Sequence, residues 1–301
     1  MSNKALSVSL GILGVLMFSS KAVMVKLAYQ YEVDTITLLL LRMLFSLPFY
    51  LGVISWHRLR KNSHGEPDKT ALGARDFGYL ILFGFLGYYL ASYFDFLGLN
   101  YIKAGLERII LFLYPTLVLL ISWITLGQKI TRQQLLGVII TYLGVVGIFA
   151  AELNLSAQDN VWLGGTLIFL SALTYGSYIV GSGWLIPRFG ATLFTSYAMV
   201  VSCICVILHY LFTTDTPLFE LAAEVYIIGL LMAIFATVIP SYLISYSIKG
   251  LGANNFSILG SLGPVSTIVL AWIFLDETMT WFQLVGAIVV IAGIFVAEKK
   301  R

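Results

Sequence analysis

Residues 113–144 read LYPTLVLLISWITLGQKITRQQLLGVIITYLG, and residues 262–293 read LGPVSTIVLAWIFLDETMTWFQLVGAIVVIAG. Set against each other at an offset of 149, Pro115 meets Pro264, Trp123 meets Trp272 and Thr131 meets Thr280. Gln134 then meets Gln283, Gly137 meets Gly286 and Gly144 meets Gly293. Leucine and isoleucine coincidences are cheap in apolar segments. Aligned proline, tryptophan, threonine, glutamine and glycine at one fixed offset are not. Each copy is an apolar run, a short polar turn and a second apolar run, which reads as a helical hairpin. The offset extends back to Ala104 and Ala253, where each hairpin starts.

Outside the hairpins the chain continues in the same manner. Of 301 residues 59% are hydrophobic and 11% charged, against about 25% charged in a typical soluble domain. Mean hydropathy is +0.92. Apolar runs of roughly 20 residues suit a hydrocarbon core about 30 Å thick. Ten such runs are predicted, near 5–29, 35–56, 77–99, 103–126, 132–151, 161–185, 191–213, 223–248, 253–275 and 280–297. The expected fold is therefore all-α and integral to a membrane, with ten transmembrane helices. Residues 1–152 form one five-helix repeat and 153–301 the other, the match being faint over the first three helices of each.

Five is odd, so the second repeat enters the membrane from the opposite side. The loop charges agree. The first hairpin turns through Gly127-Gln128-Lys129-Ile130-Thr131-Arg132, which is basic, and the second through Asp276-Glu277-Thr278-Met279-Thr280-Trp281, which is acidic. With both termini in the cytoplasm, inside segments hold 13 of the 18 Lys and Arg residues and outside segments only Lys103, as the positive-inside rule requires. Inverted repeats of this kind build secondary transporters.

The hairpin also carries a resemblance. Leu113-Tyr114-Pro115-Thr116-Leu117, Trp123, Leu126-Gly127-Gln128-Lys129-Ile130-Thr131, Gln134, Gly137 and Gly144 resemble the EamA-type hairpin of the drug/metabolite transporter superfamily. Gly263-Pro264, Trp272, Leu275-Asp276-Glu277, Thr280, Gln283, Gly286 and Gly293 resemble it again. Gln128 stands where the family usually has Glu. The resemblance implies ten helices in inverted halves and the export or exchange of small solutes. Amino acids and related metabolites are typical of bacterial members, and nucleotide-linked or phosphorylated sugars of eukaryotic ones.

Charges at bilayer depth cost about 3 kcal/mol or more each and need a reason. Lys21, Arg42, Asp95, Glu107 and Arg108 lie inside the apolar runs. In the functional reading they line a polar cavity: Lys21 and Arg42 attract a carboxylate or other anion, and Asp95 or Glu107 carries a proton or receives an amino group. In the structural reading they pair internally, for example Asp95 with Arg108 or Glu107 with Arg42. Polar faces add Tyr88 and Ser92 beside Asp95, Tyr175 and Tyr178 with Ser171 and Ser182, Tyr242 and Tyr246 after Pro240, and Ser261. Tyr114 precedes Pro115, which frees a backbone carbonyl. The expected substrate-binding set is thus Lys21, Arg42, Tyr88, Ser92, Asp95, Glu107, Tyr114, Tyr175, Tyr178, Tyr242, Tyr246 and Ser261. The alternative for each polar face is packing between helices.

Gly137, Gly144, Gly286 and Gly293 read as close-packing positions, and runs 132–151 and 280–297 as a support or a homodimer face. Cys203 and Cys205, two positions apart in one apolar run, have poor disulfide geometry and too few companions for zinc. No Gly-rich loop followed by Gly-Lys-Ser/Thr is present, so ATP is not the expected driver, and no cofactor, metal or nucleic acid is expected. The expected function is alternating-access transport of a small metabolite, an amino acid or related solute, in the export direction across a bacterial inner membrane. A sugar-phosphate or nucleotide-sugar exchanger is the nearest alternative, and an intramembrane enzyme a more distant one.

Overall fold

The computed structural model describes residues 3–64, 73–127, 131–155, 160–214, 216–260, 262–277 and 280–298. Among them the secondary structure is helical throughout. In chain order the elements are α1 (Asn3–Tyr29), α2 (Thr35–His64), α3 (Ala74–Gly84), α4 (Ala91–Gly98), α5 (Ala104–Leu111), α6 (Tyr114–Leu126) and α7 (Arg132–Leu155). They continue with α8 (Val161–Phe189), α9 (Ala191–Thr213), α10 (Ala223–Ala233), α11 (Ile239–Leu251), α12 (Ala253–Leu259), α13 (Leu262–Leu275) and α14 (Trp281–Glu298). Among the described residues eight helical stretches are long and apolar enough to cross a membrane: 4–29, 35–59, 74–98, 104–126, 161–189, 191–213, 223–251 and 253–275. The two remaining expected crossings fall on α7 and α14, helices of 24 and 18 residues.

Several of these stretches are interrupted, and the interruptions have causes. A π-helical turn, Phe85–Leu90, joins α3 to α4, and a second, Ile234–Val238, joins α10 to α11. In the second, Thr237 Oγ1 donates to the carbonyl of Met232 five residues back. Pro240 follows it and has no N–H to give the preceding turn, so the ladder must re-register. The break between α5 and α6 precedes Pro115, where Thr116 Oγ1 donates to the Leu113 carbonyl at 2.8 Å. The break between α12 and α13 precedes Pro264, with Gly263 N donating to the Gly260 carbonyl at 2.8 Å.

The hairpin motif has equally local causes. Gly127 ends α6 in the left-handed region at φ 63°, which glycine adopts without a Cβ clash. Thr131 and Gln134 cap α7 reciprocally: Gln134 N donates to Thr131 Oγ1 at 3.2 Å and Thr131 N to Gln134 Oε1 at 2.8 Å. That is a capping box, which explains the Thr-x-x-Gln spacing. The same spacing stands at Thr280 and Gln283.

The most extensive helix packing joins the N-terminal and C-terminal halves of the chain. α7 lies on α14, α1 on α11 and α13, α2 on α9 and α10, and α4 and α6 on α8. Gly144 comes against Gly286 and Val290, and Gly293 against Gly137 and Thr141. The close-packing role expected of these glycines is what they fill, and the partner of α7 is α14 of the same chain. Outward faces carry large apolar side chains in the open, among them Trp123, Trp272, Phe212 and Trp281. Water would penalise such a surface and lipid would not.

Candidate functional site

A small, partly open cavity lies at the junction of α1, α5, α6, α8, α11 and α12. Its walls are Val15, Phe18, Arg108, Leu111, Phe112, Tyr114, Tyr175, Ile244, Phe256 and Gly260. The break between α5 and α6 brings Phe112 and Tyr114 to it, and the break after α12 brings Gly260. A Cβ at Gly260 would stand 1.7 Å from the Tyr114 hydroxyl, so the absence of a side chain there makes room for the phenol. Tyr114 Oη donates to the Ser257 carbonyl at 3.4 Å. Tyr175 meets Tyr114 edge-on at 5.2 Å and stacks on Phe18 at 6.0 Å.

Beside this aromatic wall sits the buried charge. Lys21 Nζ is 2.7 Å from Asp95 Oδ2, with the two side chains 3% and 0% exposed. Arg108 donates from Nη2 to Ser19 Oγ at 2.9 Å, and Ser19 in turn donates to the Val15 carbonyl at 2.7 Å. Phe18 serves both cations as a π-face: Lys21 Nζ is 4.6 Å and Arg108 Cζ 5.4 Å from its centroid. Glu107 is fully buried, close to Asp95, Lys21 and Arg108. Arg42 donates from Nη2 to Ser92 Oγ at 2.8 Å and lies 4.9 Å from the Phe96 centroid.

The pairings considered from sequence are thus replaced by others. Asp95 takes Lys21 rather than Arg108, and Arg42 takes Ser92 and Phe96 rather than Glu107. The reason is reach: Asp95 on α4 faces α1, while Arg108 on α5 points past it to Ser19. Of the expected residues, Tyr114 and Tyr175 line the cavity, and Lys21, Asp95 and Glu107 gather behind its Arg108 wall. Tyr88 and Tyr178 meet each other edge-on at 4.9 Å behind the wall, where Tyr178 stacks on Tyr175 at 6.1 Å. Tyr242 bonds Ser196 at 2.7 Å, and Tyr246, half-exposed, bonds Thr192 at 2.7 Å. Ser261 lies outside the described residues. Phe18, Phe256 and Gly260 were not singled out from sequence. Apolar residues and glycine in an apolar run give no signal until the fold turns them to a cavity.

A second contact joins the two halves. Glu277, in the turn before α14, accepts from the backbone N–H of Ala104 and of Gly105 at 3.2 Å each, at the start of α5. A carboxylate there answers the free N–H groups of a helix N-terminus. Among the described residues no group of three or more His, Cys, Asp or Glu is placed to hold a metal ion.

A cavity at the meeting of both halves of a multi-helix membrane chain is the setting in which similar proteins are informative. The EamA-like transporter family profile matches residues 5–150 and again residues 162–298. The chain belongs to the EamA-like transporter family. It is a multi-pass membrane transporter and not an enzyme. EamA-like relatives include the Bacillus subtilis protein named uncharacterized transporter YcbK, 28% identical over 284 residues that span 91% of this chain and 87% of that one. An Archaeoglobus fulgidus uncharacterized transporter is 27% identical, with 75% of this chain and 79% of the other covered. A solved crystal structure at 15% identity matches 97% of this EamA-like chain and 96% of its own with a TM-score of 0.67, which supports the fold.

Proposed function

We propose that this EamA-like transporter is a secondary carrier that exports a small anionic or zwitterionic metabolite, of the amino-acid class, by alternating access. Its two moving parts are inverted five-helix repeats, 1–152 and 153–301, with both termini in the cytoplasm.

Internal correspondences support the repeat. The π turns start at Phe85 and Ile234, 149 positions apart, the offset of the hairpin motif. So do α3 and α10, α5 and α12, and α7 and α14. The helix packing is unchanged when the halves are exchanged: α1 on α13 corresponds to α8 on α6, and α1 on α11 to α8 on α4. The match therefore reaches the third helix of each half, where sequence identity fades. Inverted halves meeting around a cavity suit rocking between two open forms. The division of basic loops supports the orientation.

The observation that carries the substrate class is the charge at the cavity. Among the described residues Lys21, Arg42 and Arg108 are buried close to the two acids Asp95 and Glu107, and Arg108 of these forms part of the wall. Its guanidinium spends one donor on Ser19, which leaves others for a carboxylate. The aromatic wall accepts the apolar body of the solute.

The test is reconstitution. Amino acids and organic acids that raise the melting temperature of the detergent-solubilised protein are offered to proteoliposomes. Saturable flux that falls on Arg108→Ala supports the reading. Saturable flux of cationic solutes alone, or flux indifferent to Arg108→Ala, removes the anion-binding part.

A further inference from the structure

Glu107 is not part of the cavity wall. It is fully buried, and neither carboxyl oxygen has a hydrogen-bond donor; Asp95 Oδ1 has none either. Asp95 Oδ2 takes Lys21 at 2.7 Å. The groups facing Glu107 are Asp95 from α4, Lys21 from α1 and Arg108 one position along α5. Helix α13 carries no ionisable side chain, and the middle turns of α7 and α8 carry only tyrosines, Tyr142, Tyr175 and Tyr178. No donor from those elements reaches the Glu107 oxygens.

Two carboxylates side by side, out of water, repel strongly, and each acceptor without a donor adds the cost of lost hydration. One proton answers both problems. Placed on Glu107, it turns one carboxylate into a donor, forms an O–H···O bond to Asp95, and lets Asp95 keep its charge for Lys21.

We propose that Glu107 is a proton-binding site, its proton shared with Asp95, and that this proton travels with the solute. The second half of this rests on the carrier function proposed above. With the proton bound, the three cations Lys21, Arg42 and Arg108 face one carboxylate. Without it they face two. An anion at Arg108 therefore binds better to the protonated cluster, and by linkage the proton binds better when the anion is present. Nothing is oxidised or reduced: the O–H bond of Glu107 breaks, and the proton passes to water on the side to which the cavity opens.

The test needs no solute. Infrared spectra of the purified, detergent-solubilised full chain are taken at neutral pH in the region of protonated carboxyl C=O stretching. A protonated carboxyl band is expected. It should shift when the protein is grown on isotopically labelled glutamate, stay in place with labelled aspartate, and be lost in Glu107→Gln. The labelling arm uses the unmodified protein, so a variant that fails to fold does not remove the test. Absence of a glutamate band at neutral pH, or a band unaltered in folded Glu107→Gln, overturns the proposal. A band present in a protein that carries no solute in proteoliposomes leaves the proton site standing and overturns its coupling to transport.

Discussion

Gly144 and Gly293 hold equivalent places on the two sides of one helix crossing. A Cβ on Gly144 would stand 3.0 Å from Val290 N and 3.1 Å from the Gly286 carbonyl; on Gly293 it would stand 2.6 Å from Thr141 N and 2.9 Å from the Gly137 carbonyl. Every residue of the first contact has its counterpart, at the offset of 149, in the second. The crossing of α7 and α14 is thus self-complementary in the way a two-fold interface is. Small residues let helix backbones approach within a membrane. Gly144→Leu and Gly293→Leu are each expected to destabilise the protein by about 1–3 kcal/mol, read as a lowered melting temperature in detergent. If both variants melt like the parent protein, this crossing does not support the fold.

The Lys21–Asp95 pair makes a different prediction. Removing one partner leaves a buried charge without its counter-ion, at a cost of about 3–5 kcal/mol. Lys21→Met and Asp95→Asn should each lower yield and melting temperature. The double variant should recover most of the loss, because no uncompensated charge of that pair remains. A double variant as unstable as the sum of the singles would show that each residue has other essential partners.

Arg108 should separate binding from folding. Among the described residues its side-chain hydrogen bond is to Ser19, so Arg108→Ala is expected to fold. Loss of a hydrogen bond to a charged group is worth about 1.5–3 kcal/mol, a loss in affinity of about 10- to 150-fold for an anionic solute. Arg108→Lys keeps the charge without the planar fork and should fall between. Isothermal titration with the best ligand from the thermal screen measures it; equal affinity in all three proteins would exclude Arg108 from binding.

Glu277 is expected to hold the two halves together at one face of the membrane. Removing a carboxylate that serves two helix N-terminal N–H groups costs about 0.5–2 kcal/mol, enough to raise the population of an opened form about 2- to 30-fold. In a background with Cys203 and Cys205 replaced by Ser, Leu106→Cys tests this. Leu106 is 2% exposed, and maleimide labelling of the cysteine should accelerate when Glu277→Ala is added. An unchanged labelling rate would show that Glu277 caps α5 without restraining the opening.

Much of this was legible in the residues. Apolar runs announce helices, and the doubled Pro, Trp, Thr, Gln and Gly announce the doubled hairpin. Charges inside such runs announce a buried cluster, since Lys21, Asp95 and Glu107 do gather. Two things were not legible. The π turns at Phe85–Leu90 and Ile234–Val238 depend on how neighbouring helices hold a re-registered ladder, and Phe85–Leu90 contains no proline to announce it. Nor does spacing tell that Tyr88, Tyr178, Tyr242 and Tyr246, on polar faces, meet other helices and stay out of the wall of this cavity.

The sequence by itself determined that the chain lies in a membrane, that its second half echoes its first, and that Lys21, Arg42, Asp95, Glu107 and Arg108 fall inside its apolar runs. Those properties follow from local composition and spacing, which need no knowledge of neighbours. The tertiary structure alone decided that Lys21 meets Asp95, that Arg42 meets Ser92, that Glu107 is left without a donor, and that Phe18, Tyr114, Tyr175 and Arg108 share a cavity. A helix is apolar nearly all round in lipid, so its own pattern says little about which face meets which neighbour. Those contacts are set by the fit of glycine-lined backbones and by the few side-chain groups long enough to reach across.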